Sequence, residues 1–136
     1  MDFTTSLDVA YSGMTAQGER LKVIAENLAN VDSTAQKPGG TPYRRQVVTF
    51  RDTFDRALGV KRVKVAGVVN AGGAFGKRYE PGHPAADADG YVLTPNVNAV
   101  TELLDMREAE RSYEANLNVI DAVKSMLSRT IDLLRG

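Results

Sequence analysis

His83, Asp87 and Asp89 are the residues of this chain whose types could hold a cation or move a proton. They share one turn-rich stretch, PGHPAADADG. A lone imidazole and two carboxylates on a loop are commonly just solvated. Asp87, Asp89 and Gly90 have the opening of a calcium loop, but the twelfth position counted from Asp87 is Asn98 rather than Glu, and Pro95 intervenes. Gly72, Gly73, Gly76 and Lys77 supply part of a phosphate loop. Ala71 stands where that loop needs glycine, and Arg78 replaces the hydroxyl that would hold magnesium. The chain has no cysteine, which excludes a thiol nucleophile, a disulfide scaffold and a Cys-ligated zinc site. A nucleophile–base pair would need a Ser or Thr beside His83, and no G-x-S-x-G element exists. These residues predict no enzyme, no catalytic, cofactor or metal site, and no small-molecule substrate.

The elements around these residues carry more information. The 136 residues hold 17 basic and 17 acidic side chains, so the net charge is zero. That balance argues against electrostatic capture of nucleic acid. No apolar run approaches the roughly 20 residues of a membrane helix, and the start, MDFTTSLDVAYSG, lacks the features of a cleaved secretory signal. The zero conceals an uneven distribution. Residues 1–31 carry four acids and two bases, residues 32–95 ten bases and six acids, and residues 96–136 seven acids and five bases. All five prolines and nine of the twelve glycines lie in 32–95, so two ends poor in Gly and Pro flank a turn-rich, basic middle. Its bases are interleaved with acids, which reads as a solvated sheet face able to meet acidic neighbours.

Both ends have helical periodicity. Phe3, Leu7, Ala10, Met14, Gln17, Leu21, Ile24, Leu28 and Val31 follow alternating four- and three-residue steps, a heptad seam with one polar member. Asp2, Thr4, Thr5 or Ser6 can cap it. Gly13 and Gly18 each cost about 1 kcal/mol relative to Ala inside a helix. They mark either close approach of another backbone or local flexibility. Downstream, Pro95 blocks helix and Asn96 or Asn98 is a good N-cap. The apolar stripe then runs through Val100, Leu103, Met106, Ala109, Tyr113, Leu117, Ile120, Val123, Leu127, Ile131 and Leu134, widened by Leu104, Ala122 and Met126. A helix this long spans about 55 Å and reads as an assembly element. One hairpin cannot cover so wide a stripe, and each Leu, Ile or Met left in water forgoes about 1.5–3 kcal/mol. The helices are therefore expected to complete their burial against other chains; the alternative is a closed hairpin packed on the middle segment.

Between them, residues 32–42 read as a polar hinge, Tyr43–Phe50 as a strand, Asp52–Leu58 as a short helical turn, and Val60–Val69 as a second strand. Lys77–Glu80 and Tyr91–Thr94 complete one small sheet of three or four strands. The fold class is α+β, with long terminal helices paired as a coiled coil around a small β-rich insertion. The divisions fall at 1–31, 32–95 and 96–136.

Four strings together resemble the flagellar basal-body rod and hook proteins: SGMTAQGERLKVIAENLAN at Ser12–Asn30, the run from Asn96 to Leu134, TPYRRQVVTF after the hinge, and YEPGHPAADADGYVLTPNVN before the last helix. The longer hinge between Asp32 and Tyr43 is similar to the proximal-rod branch. The resemblance implies a structural subunit that packs helically with other copies of itself and with other flagellar rod proteins. It would form part of the periplasm-crossing shaft that transmits motor torque, exported by the flagellar type III apparatus without a cleaved signal. It implies that Leu7, Met14, Leu21, Ile24 and Leu28 pack against Tyr113, Leu117, Ile120, Leu127 and Leu134. Asn27 and Asn30 would bond between helices or end the first one. Arg20, Arg107, Arg111 and Glu114 would make intersubunit charge contacts, and Gly82, Pro84, Gly90 and Pro95 would shape the turn feeding the last helix. The competing class is a soluble helical-hairpin adaptor for one partner helix.

Overall fold

The computed structural model describes residues 2–136. In chain order it contains α1 (Phe3–Ala29), β1 (Gln46–Asp55), β2 (Val60–Asn70), β3 (Gly76–Tyr79), β4 (Tyr91–Thr94) and α2 (Ala99–Arg135). Local chemistry selects the caps left open above. The Asp2 carboxylate accepts the Thr5 N–H at 2.7 Å, so Asp2 caps α1. That bond holds the Asp2 carboxyl below its ordinary range. The Asn98 side-chain oxygen accepts the N–H groups of Val100 and Thr101 at 3.0 and 3.2 Å, so Asn98 caps α2. Asn96 works elsewhere. α1 ends where the Asn30 amide donates back to the Glu26 carbonyl at 2.8 Å and its oxygen accepts the Ser33 hydroxyl at 2.9 Å.

Two expectations about the middle are corrected. The strands form two separate two-stranded sheets, β1–β2 and β3–β4, rather than one. Asp52–Leu58 is not helical: β1 continues through Asp55 and a tight turn follows. The cause is Asp55. Its carboxylate accepts the Ala57 and Leu58 N–H groups at 3.0 and 3.3 Å, and Gly59 takes the left-handed φ of 67° that brings the chain back. β1 also begins later than expected, at Gln46, because Tyr43–Arg45 are committed to side-chain partners described below. In the second sheet, antiparallel pairing sets Gly76 opposite Thr94 and Tyr79 opposite Tyr91.

The described residues fall into two compact units. One gathers the chain up to Leu21 with Val48–Gly67 and Arg107–Gly136; the other gathers Lys22–Val47 and Val68–Met106. The first buries Ala10, Ala16, Ala109, Ile120 and Val123, small and branched side chains that let helices approach closely. The second buries Val23, Ile24, Ala85 and Val92 around two polar side chains, Asn27 and Glu102.

Candidate assembly interface

In the first unit, α1 and α2 run antiparallel. A Cβ built on Gly13 would lie 2.9 Å from the Asn116 amide, Gly18 faces the Tyr113 ring at 4.0 Å, and the Arg20 guanidinium reaches Glu108 at 3.4 Å. Gly13 therefore marks close approach of a side chain rather than of another backbone. Ala109, Tyr113, Asn116, Ile120 and Val123 recur by fours and threes, the spacing of one helix face. Leu117 lies outside that face and is 41% exposed, whereas Ile120 is 1% exposed.

Leu7, Met14, Leu21 and Tyr113 are half-buried. Leu127 and Leu134 are exposed, Leu134 at 84%. Leu134 therefore does not pack within the chain as expected, while Leu127 is only partly open, at 38%. By the register of these contacts Phe3 lies opposite the region of Met126, so the last turns of α2 pass beyond the start of α1 and meet no covering helix among the described residues. Arg20 pairs with Glu108 of its own chain instead of reaching outward. Arg107, Arg111 and Glu114 are exposed. An open groove of about 710 Å³ lies in the same unit, between α1 at Tyr11, Thr15 and Glu19 and the β1–β2 hairpin at Phe54, Val63 and Lys64.

In the second unit Ile24 is buried and Leu28 half-buried. Asn27 stands at the centre of a polar network. Its amide donates to the Gln46 carbonyl at 2.8 Å, and its oxygen accepts the Gln46 N–H at 3.0 Å, so the side chain takes the place of a neighbouring strand. The same oxygen accepts the Tyr43 hydroxyl at 2.8 Å, and the amide also donates to Glu102 at 3.2 Å. Glu102 is fully enclosed, with its other carboxylate oxygen against Nε of Arg45. Arg45 continues to Asp105 at 3.2 Å, while its backbone N–H donates to the Asn96 oxygen at 2.7 Å. The negative charge of Glu102 lies in the first turn of α2, where the helix dipole favours it. Burial, with the nearby Glu26 and Glu102 carboxylates, pushes the Tyr43 hydroxyl above its ordinary value of 10.0. Tyr43, Arg45, Gln46 and Glu102 were not singled out by pattern reading, because none sits on an apolar period, and Asn96 was read only as a possible helix cap.

The turn before α2 uses its polar groups internally. His83 Nδ1 accepts the Ala85 N–H at 3.0 Å, so Nε2 carries the proton that it donates to the Thr34 hydroxyl oxygen at 3.1 Å. Asp87 accepts the N–H groups of Asp89 and Tyr91, both at 2.9 Å. Gly90 takes a φ of 85°, and a Cβ there would meet the Tyr79 ring at 2.9 Å, so glycine is required twice over. Pro95 is buried, whereas Gly82 and Pro84 lie exposed at the bend. In the glycine-rich loop, Arg44 donates to the carbonyls of Ala71 and Gly73 and lies 4.3 Å from the Phe75 ring centre. Its backbone oxygens are turned to a resident guanidinium. A phosphate cradle needs N–H groups instead.

Residues 7–35 match the family model described as flagella basal body rod protein, and residues 88–133 match that of the flagellar basal body rod FlgEFG protein C-terminal region. The flagellar basal-body rod protein FlgC of Agrobacterium fabrum is 49% identical over 94% of this chain and 92% of its own length. The chain belongs to the FlgC family of flagellar basal-body rod proteins. The FlgC of Escherichia coli O6:H1 is 45% identical over 93% of both chains, and that of Borreliella burgdorferi 39% identical over the full length of both. FlgC proteins are structural, and this chain is a structural subunit of the basal-body rod, not an enzyme. The two family models cover α1 from Leu7 onward with the start of the hinge, and β4 with nearly all of α2. The FlgC match extends this likeness through the intervening strands.

Proposed function

We propose that this FlgC-family protein builds the proximal rod by pairing its terminal helices as a coiled coil and packing them helically against further copies and other rod proteins. Residues 1–31 and 96–136 supply the inner layer, and residues 32–95 stand outside it. The rod so formed crosses the periplasm and carries torque, and its subunits arrive through the flagellar type III apparatus.

The observation that carries this reading is the apolar surface α2 leaves open. Leu117, Met126, Leu127, Ile131, Leu133 and Leu134 are all exposed beside a narrow buried face. A chain working as a monomer would leave several kcal/mol of burial unused there. A second feature points the same way. The Gln17 side-chain oxygen is buried without a hydrogen-bond partner among the described residues. Such a group costs about 1–3 kcal/mol until a donor reaches it, and assembly can bring one.

The test compares two substitutions. Ile120→Asp places a charge in a closed interior and is expected to unfold the helical pair. Leu117→Asp changes a side chain already in contact with water and is expected to keep the monomer's circular dichroism while abolishing rod incorporation and swimming. Full motility with Leu117→Asp would reject the packing proposal.

A further inference from the structure

The overhanging end of α2 and the groove beside α1 are complementary, yet one chain cannot bring them together. The groove opens at Tyr11–Glu19, whereas the overhang begins near Leu127, beyond the start of α1. The two lie several helical turns apart along a helix that contains no Pro or Gly to bend it. A surface patch that fits a pocket elsewhere on the same molecule makes a heterologous contact, and repetition of such a contact generates an open helical filament unless the rotation closes.

We propose that the C-terminal turns of α2 from one copy seat in the α1/β1–β2 groove of a second copy. This rests on the self-assembly reading above and names the surfaces that meet. The sizes agree. A helix about 10 Å across with a 5.4 Å pitch fills about 420 Å³ per turn, so the 710 Å³ groove admits between one and two turns. Residues 127–135 form about two and a half turns. Leu127, Ile131 and Leu134 recur at i, i+4 and i+7, which gives this end one apolar strip. The groove offers apolar lining at Tyr11, Phe54, Val63 and Val65. Charges match as well. Arg62 is held by Asp55 at 3.1 Å, which leaves Arg56 and Lys64 in the lining for Asp132, and Glu19 for Arg129 or Arg135 of the incoming helix.

The chain contains no cysteine, so single introduced thiols report the contact directly. Full-length Thr15→Cys and Ile131→Cys proteins are mixed under mild oxidation and resolved on a non-reducing gel. The expected product is the mixed disulfide, in clear excess over that formed by Thr15→Cys with Glu110→Cys, an exposed control on α2. Adding Leu134→Asp to the Ile131→Cys chain is expected to remove that excess. Leu134 is exposed, so this change leaves the monomer folded, as circular dichroism can verify. Equal yields with the control, or an excess that survives Leu134→Asp, would overturn the groove contact. Sedimentation of the same mixtures separates the two ideas: polymer without the mixed disulfide rejects this contact and leaves self-assembly standing. A chain that stays monomeric at every concentration, with no mixed disulfide, rejects both.

Discussion

Asn27 and Glu102 meet inside the protein, with the Asn27 amide 3.2 Å from a Glu102 carboxylate oxygen and both side chains shut off from water. The contact joins the last turns of α1 to the first turn of α2. It also organises the chain between them, since Asn27 holds the backbone of Gln46 and Glu102 holds Arg45. A buried carboxylate is tolerated only when its lone pairs are matched. Here a guanidinium and an amide provide the match, so the last turns of α1, the start of β1 and the first turn of α2 are set in one relative position.

Glu102→Ala is expected to destabilise the fold by about 3 kcal/mol, because it leaves Arg45 and the Asn27 amide short of a partner. Arg45→Lys should cost less than Arg45→Ala: an ammonium keeps the charge but cannot span Glu102 and Asp105 as a planar fork does. Urea unfolding of the three variants gives the order. Equal stability of Glu102→Ala and the parent would show that the network does not hold these elements together.

The two glycines of α1 should respond oppositely to alanine. Gly18→Ala meets only ordinary contact at 4.0 Å from Tyr113 and should gain up to about 1 kcal/mol of helix propensity. Gly13→Ala collides with the Asn116 amide at 2.9 Å, which is itself tied to the Ser112 carbonyl at 3.0 Å, and should be neutral or destabilising. Removing the obstacle in Gly13→Ala/Asn116→Ala should restore the gain, with a coupling of about 1 kcal/mol in a double-mutant cycle.

Acid should loosen the tip of the β1–β2 hairpin. The hydrogen bond from Arg62 and those from the turn N–H groups hold the Asp55 carboxyl below its ordinary value of 3.8. A group whose folded pKa is lowered stabilises fully above its unfolded pKa and loses that contribution as pH falls through the folded value. Amide exchange at Ala57 and Leu58 should therefore accelerate below about pH 4. Arg62→Gln should shift that onset upward, toward the unfolded carboxyl, and an unchanged onset would contradict the assignment.

Alkali should act on the other unit with the opposite sign. The Tyr43 hydroxyl is raised above 10.0, mainly by burial. Its stabilisation is intact below the unfolded value and is lost as pH rises through the folded one. Spectrophotometric titration should find a tyrosine component ionising above the ordinary value of 10.0, and Tyr43→Phe should abolish it.

The α2 cap is testable separately. Asn98→Ala removes the acceptor for two backbone N–H groups and should cost about 1 kcal/mol. Asn96→Ala should instead release the Arg45 backbone and the carbonyls of Ala71 and Gly72, which exchange at those loops would report.

Periodicity and turn signals in the sequence alone established the two long helices, the breaks around them and the α+β class, while the resemblance of four strings implied the rod family. Helix pattern is local: it repeats every few residues and needs no knowledge of what lies opposite. The positions of β2 and β4 were legible for the same reason, since alternating branched residues between Gly and Pro signals define a strand by themselves. What only the tertiary structure decided is which side of α2 is already covered. The stripe was wide enough for several faces, and Gly13 settled the choice by admitting Asn116, which buries Ile120 and leaves Leu117 in water. The Asn27–Arg45–Glu102 network was out of reach because its members stand up to 75 residues apart and have no common period. Hydrogen bonding between distant side chains depends on where the backbone returns, and composition and spacing carry no record of that return.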